Sequence, residues 1–291
     1  MAFDNVRSIL SIQSPLSSFK LLCVAANFSR PKFRFVWQSI LRPFISNGEI
    51  NIRYWCVKRY QTMFLRVPEL ESDYMSALEL CVNDVYRLDD SFHPDLVIDG
   101  GGNIGMFTLR VAARESSSER PPKFVIYEPV PHNSEQCRRH LKINNIEAEI
   151  VNACLGGSHQ SIPFYCRQAN RSSFDPSIPY DRVIDVPVHI LRDAIDQSPA
   201  ERILIKLDIE GMEVEALTAL VPYETRPVYV VGELHEASEK GPQIARLFIN
   251  HGWTFEIDSH VHAETTFRAC SPAALPLLPS MASAQSMPTA N

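Results

Sequence analysis

The sequence predicts an α/β fold: a mostly parallel seven-stranded sheet with helices on both faces, preceded by an N-terminal helix and hairpin extension. Three observations predict it. From residue 96 onward, short apolar strands alternate with amphipathic helical stretches, the signature of a parallel sheet covered on both sides. The first of these strands runs straight into a glycine-rich loop at the start of a helix, Asp99-Gly100-Gly101-Gly102-Asn103-Ile104-Gly105. The chain is also large enough, at 291 residues with 45% hydrophobic, to bury such a core.

Residues 1–48 mix apolar and basic side chains, with a helix expected near Phe35–Leu41. Two strands rich in aromatic and β-branched residues follow, Ile50–Val57 and Gln61–Val67. Ser72 to Val82 reads as a helix capped by Ser72. The alternation then runs strand Leu96–Asp99, helix Met106–Arg114, strand Phe124–Glu128, helix Asn133–Ile143 and strand Ala148–Ala153. A looser segment holds a short strand at Ser161–Tyr165, and Val188–Ala194 leads on to strand Ile203–Asp208. Helix Val214–Leu220, strand Val228–Glu233 and helix Pro242–His251 come next, then a hairpin of Trp253–Asp258 and Thr265–Cys270. Residues 271–291 lack charge and read as a disordered tail. The expected organisation is a basic extension over 1–70, a catalytic domain over 71–270 and the tail.

Net charge is −6, which argues against a dedicated nucleic-acid binder. The charge is uneven. Residues 1–66 carry ten Lys and Arg against Asp4 and Glu49, a net +8, and the rest carries 18 against 32, a net −14. The seven cysteines are scattered, odd in number and without a C-x-x-C pair, so neither a zinc site nor a disulfide framework is indicated. No apolar run reaches the ~18 residues of a membrane span. These features lead us to expect a cytoplasmic protein with no transmembrane segment. They do not indicate an oligomeric state.

Ligands of such sheets bind beyond the carboxyl ends of the strands. The residues there are Asp99, Glu128, Asn152 with Ala153, Asp208 with Glu210, and Glu233 with His235, mostly carboxylates. The glycine loop formally contains G-x-G-x-x-G, and Glu128 lies where a ribose-binding acid is expected, so a dinucleotide is one reading. Asp99 opposes it, because a carboxylate beside a pyrophosphate is repulsive. A ligand with an ammonium, a sulfonium and no phosphate, S-adenosylmethionine, reverses the sign. Asp99 then serves its amino-acid portion directly or through water. Glu128 accepts from both ribose hydroxyls.

Asp99-x-Gly101-x-Asn103-x-Gly105, Tyr127-Glu128-Pro129, Asn152-Ala153 followed by Gly156-Gly157, and Lys206-x-Asp208-Ile209-Glu210-Gly211-x-Glu213 together resemble the FkbM family of S-adenosylmethionine-dependent methyltransferases. The resemblance covers roughly residues 75–260. It implies the class I, Rossmann-like methyltransferase fold and methylation of hydroxyl oxygens on sugars, lipids or natural products. It places Asp99, Gly101, Asn103 and Gly105 in the cofactor loop and Glu128 on the ribose, with Asp208 and Glu210 lining the reaction side. Gly100 and Gly102 stand where the family usually has apolar residues or Ala, so a more flexible loop is expected.

Hydroxyl methylation needs a group that takes the acceptor proton. Candidates are Asp208, Glu210, Glu233 and His235. Glu213 and Glu215 read more simply as acids favouring a helix N-terminus, and Lys206 as the cation balancing the strand-end acids. The same oxygen-rich set with one imidazole suits magnesium or manganese, though no spacing compels a metal. His260 and His262 alternate on the last hairpin and read as an exposed pair. The expected acceptor is a small molecule, anionic or carrier-bound if the basic hairpin (Arg53, Lys58, Arg59 and Arg66 among Tyr54, Trp55, Tyr60 and Phe64) lies over the crevice as a lid. The bland alternative pairs those cations with acids of the main domain. Two other functions stay open: a nucleotide-linked oxidoreductase using the same loop, and a non-catalytic cofactor-binding relative.

Overall fold

A computed structural model describes residues 49–66, 69–166, 174, 177, 179–235, 237–261 and 264–284. The helix expected at Phe35–Leu41, with everything before residue 49, lies outside the described residues. So does His262, and with it the expected pair of His260 and His262.

The first strands, β1 (Glu49–Cys56) and β2 (Arg59–Arg66), form an antiparallel hairpin. Its buried residues Tyr54, Cys56, Met63 and Leu65 cluster with Ile104, Leu109, Ile126 and Leu141. The hairpin is therefore part of the core, and its alternation of buried and part-exposed residues along β2 is that of a strand with one covered face. Helix α1 (Leu70–Ala77) continues into a π-helical turn, Leu78–Asn83. The expected cap does not form: Ser72 lies inside the helix, and its hydroxyl oxygen is buried without a hydrogen-bond partner.

The main sheet takes β3 (Leu96–Gly100), β4 (Lys123–Tyr127), β5 (Glu149–Val151), β9 (Ile203–Leu207), β10 (Val228–Glu233), β11 (Thr254–Val261) and β12 (Glu264–Cys270), with order β11-β12-β10-β9-β3-β4-β5. Only β12 runs in the direction opposite to the other six strands. Every residue of β3 and β9 is buried, as expected for central parallel strands. Their side chains alternate between faces: Leu96, Ile98, Ile203 and Ile205 join one apolar cluster, while Val97 and Leu204 join another with Tyr229 and Val231. Helices α2 (Met106–Arg114) and α3 (Pro131–Ile143) follow β3 and β4. Helices α5 (Glu213–Thr218) and α6 (Ala237–Asn250) follow β9 and β10. The last of these starts before the expected Pro242, which sits inside the helix.

Two expectations need correction between β5 and β9. The strand expected over Ala148–Ala153 breaks at Asn152, because the chain leaves the main sheet there. It re-enters a separate three-stranded sheet as β6 (Cys154–Gly156), beside β8 (Arg182–Ile190) and β7 (Gln160–Cys166). The strand at 188 ends at Ile190 and turns into helix α4 (Leu191–Asp196).

The tail also departs from expectation. Residues 271–284 are folded, ending in helix α7 (Pro279–Ala284). Ala274, Leu278 and Met281 are fully buried against Phe92, Tyr229 and Cys270. Apolar burial outweighs the lack of charge that suggested disorder. Among the described residues no helix is long and apolar enough to cross a membrane, and six buried cysteines stand outside any disulfide.

Candidate active site

The strand order reverses between β3 and β9, so the ends of these two strands open the crevice where a ligand is expected. The glycine loop crosses it. Gly101 and Gly105 hold φ of +72° and +87°, conformations that suit glycine. The glycines also serve packing. A Cβ on Gly101 would fall 1.8 Å from the Asp208 carbonyl oxygen, and one on Gly102 would fall 2.2 Å from Ile126 Cγ2. The extra glycine at 102 is thus a tight fit rather than added looseness. The loop's amides are largely engaged. Those of Gly101 and Gly102 donate to the Tyr127 carbonyl at 3.0 Å each, that of Gly105 to Gly102, and that of Asn103 to Glu128 Oε2 at 2.7 Å.

Glu128 is buried, and its other oxygen accepts from the Val130 amide at 2.8 Å. Burial above all holds its carboxyl above the usual range, against those amide bonds and Lys206. It ties the loop to the end of β4, and the Asn133 side chain adds a further hydrogen bond to the carboxylate. Pro129 follows it. Asn152 donates to the Glu128 carbonyl (3.2 Å) and to Ser134 Oγ (2.6 Å), and Ala153 is fully buried behind it. These four residues stand together at the ends of β4 and β5, apart from the pocket on the β9 side.

Asp99 has no exposed surface. It accepts from Thr108 Oγ1 at 2.8 Å, and Lys206 Nζ stands 3.7 Å from its other oxygen. Of the two routes expected for it, direct or through water, its full burial behind the pocket lining leaves no surface for direct contact in this conformation. Lys206 donates to the Gly101 carbonyl at 2.6 Å and reaches Asp208 at 3.5 Å. Burial alone lowers its pKa, but Asp208, Asp99 and Glu128 outweigh that and raise it. Lys206 is therefore the expected counter-ion, linking the loop, Asp99 and Asp208. Asp208 is part-exposed and also accepts from the Tyr86 hydroxyl at 3.4 Å.

The turn after β9 carries the remaining candidates. Glu210 adopts φ +59° and Gly211 φ +110°. Glu213 is buried, and its Oε1 accepts from the amides of Ile209 (3.0 Å) and Gly211 (3.1 Å) and faces His235 Nδ1 at 3.0 Å. Its role is larger than that of a helix-terminal charge. His235 Nε2 lies 3.5 Å from Glu210 and 3.6 Å from Glu233. Burial disfavours the charged ring, but the Glu213 hydrogen bond and the charges of Glu213, Glu210 and Asp208 push its pKa up to about 10. Burial, then the charge of Asp208, pushes Glu210 up to about 8.

The pocket itself is lined by Gly101, Gly102, Asn103, Asp208, Glu233 and Thr266. Its roof is Ser76, Glu79, Leu80, Val85 and Tyr86, from α1, the π turn and the segment after it. The described hairpin residues do not line it. Arg66 instead pairs with Asp73 at 2.6 Å, the kind of contact the bland reading of that segment expects, and with Glu69 at 3.1 Å, while the hairpin acid Glu49 pairs with Arg139. Among the described residues Lys206 is the one basic side chain of the lining, and its ammonium is already held. The cavity, about 60 Å³, is small against the roughly 300–1,000 Å³ of ligand pockets. At that volume the pocket as it stands holds part of an adenosyl-sized ligand rather than the whole.

The sequence profile of the methyltransferase FkbM domain matches residues 99–270. The chain belongs to the FkbM methyltransferase family. "Methyltransferase 1" of Beauveria bassiana (strain ARSEF 2860) is 28% identical over 155 residues, which cover 45% of this chain and 59% of that curated relative's length. Among solved structures, the precorrin-6y C5,15-methyltransferase of Geobacter metallireducens GS-15 is 13% identical, covering 69% of this chain and 86% of its own, with a TM-score of 0.36. An O-methyltransferase family protein of Burkholderia thailandensis is 14% identical, covering 71% and 60%, with a TM-score of 0.40. At such scores the neighbours say nothing of this FkbM chain's acceptor. Its mixed sheet, parallel but for β12, has the class I methyltransferase architecture that the sequence led us to expect.

Proposed function

We propose that this FkbM methyltransferase transfers the methyl group of S-adenosylmethionine to a hydroxyl oxygen of a small-molecule, sugar or lipid-like acceptor. The observation that carries the reading is the chemistry of the pocket. The loop amides that would cradle a phosphate already donate to Tyr127, Glu128 and Gly102, and the described lining offers Asp208 and Glu233 beside Lys206, whose ammonium is already held. That set disfavours a nucleotide-linked oxidoreductase and suits a cationic, phosphate-free ligand. Gly101, Gly102 and Asn103 would hold the cofactor with Glu128, Pro129, Asn152 and Ala153. When bound, S-adenosylmethionine supplies an electrophilic methyl group and its own leaving group.

The chain's residues then orient the acceptor and accept its proton. Asp208 faces the pocket, with Tyr86 and Lys206 fixing its carboxylate. Glu210 and His235 stand beside it, and we assign proton removal from the acceptor to this end. Calorimetric titration should show S-adenosylmethionine binding and no NAD binding. Binding of NAD alone would reverse the choice. We expect Asp208→Asn to keep cofactor affinity and to lower turnover by roughly 10²-fold, the scale of a lost general base. Unchanged turnover would remove Asp208 from the reaction.

A further inference from the structure

We propose that Asp208, Glu210 and His235 bind a divalent cation, manganese or magnesium, at the acceptor end of the pocket. One ligand atom from each of these residues lies within 4.8 Å of the others, and all three side chains are part-exposed. Two carboxylate oxygens with one imidazole nitrogen are a donor set for manganese or magnesium rather than for the softer, thiolate-seeking metals.

Buried Glu213 supplies the independent support. A metal-bound histidine characteristically passes its other ring N–H to a carboxylate, which fixes the ring and its tautomer. Glu213 Oε1 stands 3.0 Å from His235 Nδ1, and two backbone amides of the 209–211 turn lock that oxygen in place. The ring is thus aimed, with Nε2 turned to Glu210 and Glu233. The second oxygen of Glu213 is buried with no hydrogen-bond partner. Glu210 and Glu233 lie within 3.6 Å of His235 Nε2, and Asp208, beside them, stands 3.5 Å from Lys206. A divalent ion displaces the protons of Nε2 and Glu210 and takes the Nε2 position opposite the Glu213 contact.

The ion's place in the reaction rests on the hydroxyl-methylation reading above: a coordinated acceptor oxygen loses its proton more readily, and its lone pair is presented to the methyl group. The binding claim itself is independent of the acceptor.

The test uses the full chain, stripped with chelator and dialysed. Manganese is followed by the loss of its free-ion electron paramagnetic resonance signal and by calorimetry, and S-adenosylmethionine is titrated into the same metal-free protein. We expect one manganese per chain, displaced by magnesium. Glu210→Gln and His235→Ala should weaken binding at least tenfold, and Glu213→Gln about 10–100-fold, the range for loss of an outer carboxylate partner. Near-UV circular dichroism checks each variant's fold, and Glu210→Gln, nearly isosteric, keeps the test decisive if His235→Ala unfolds. Absence of saturable manganese binding, or binding that survives both Glu210→Gln and His235→Ala, overturns the proposal. Cofactor binding without manganese binding sinks the cation and leaves the methyltransferase reading standing. Loss of cofactor binding in a folded, metal-free wild type counts against that reading instead.

Discussion

Glu128 and His140 show how single buried groups hold the cofactor side together. Glu128 accepts the Asn103 and Val130 amides and so fixes the loop from the neighbouring strand end. We expect Glu128→Ala to weaken S-adenosylmethionine binding by about 1–3 kcal/mol, the scale of lost charge-assisted hydrogen bonds. Unchanged affinity by calorimetry would take Glu128 out of the site. His140, in α3, is fully buried, with Nδ1 2.7 Å from the Ile104 carbonyl and Nε2 accepting from the Phe64 amide at 2.9 Å. Burial first of all lowers its pKa from 6.5 to about 4. Because the unfolded chain takes up this proton first as pH falls, its stability contribution is present above pH 6.5 and is lost between pH 6.5 and about 4. The loss is about 3 kcal/mol at 1.36 kcal/mol per unit. Denaturation of wild type and His140→Gln across that window should show the difference between them shrinking as pH falls. A constant difference would mean that His140 does not titrate there.

Elements carry the site through close approach. The glycine loop passes so near β4 and β9 that its missing side chains are occupied by neighbours, as the 2.2 Å approach of a Gly102 Cβ to Ile126 shows. Gly102→Ala should therefore destabilise the protein by about 1–3 kcal/mol, the cost of overpacking. Ile126→Leu in the same chain, which removes the β-branch methyl at nearly equal volume, should restore part of it if the clash is with that branch. Additive losses in chemical denaturation would point to backbone strain instead. The loop, the strand-end acids and the alternation of β and α were legible because they are local: spacing and periodicity carry them. The outer partner of His235 was not, because a helix start at Glu213 looks the same whether or not an imidazole arrives 22 residues later. Tyr86 gave no signal at all, lying in an aperiodic stretch 122 residues from Asp208. The fold of residues 271–284 was hidden for a related reason, since composition records missing charge but not the cluster that buries Leu278 and Met281.

At the scale of the whole molecule, the pocket joins two kinds of structure. Its floor hangs on β3 and β9, whose residues are all buried and paired on both sides. Its roof is a short helix and a π turn, followed by left-handed residues Asp84 and Arg87 on either side of Tyr86. In terms of amide exchange these belong to different classes. Floor amides should exchange only through global unfolding, and roof amides through a local opening of much lower free energy. The same opening admits the ligand, so cofactor should slow exchange over residues 76–88 and leave β3 and β9 unchanged. Equal protection of both regions by cofactor, read by mass spectrometry, would mean that roof and floor open as one unit. If the classes separate, the affinity measured for any ligand includes the free energy of lifting the roof, and a substitution such as Arg87→Gly tunes binding from outside the pocket.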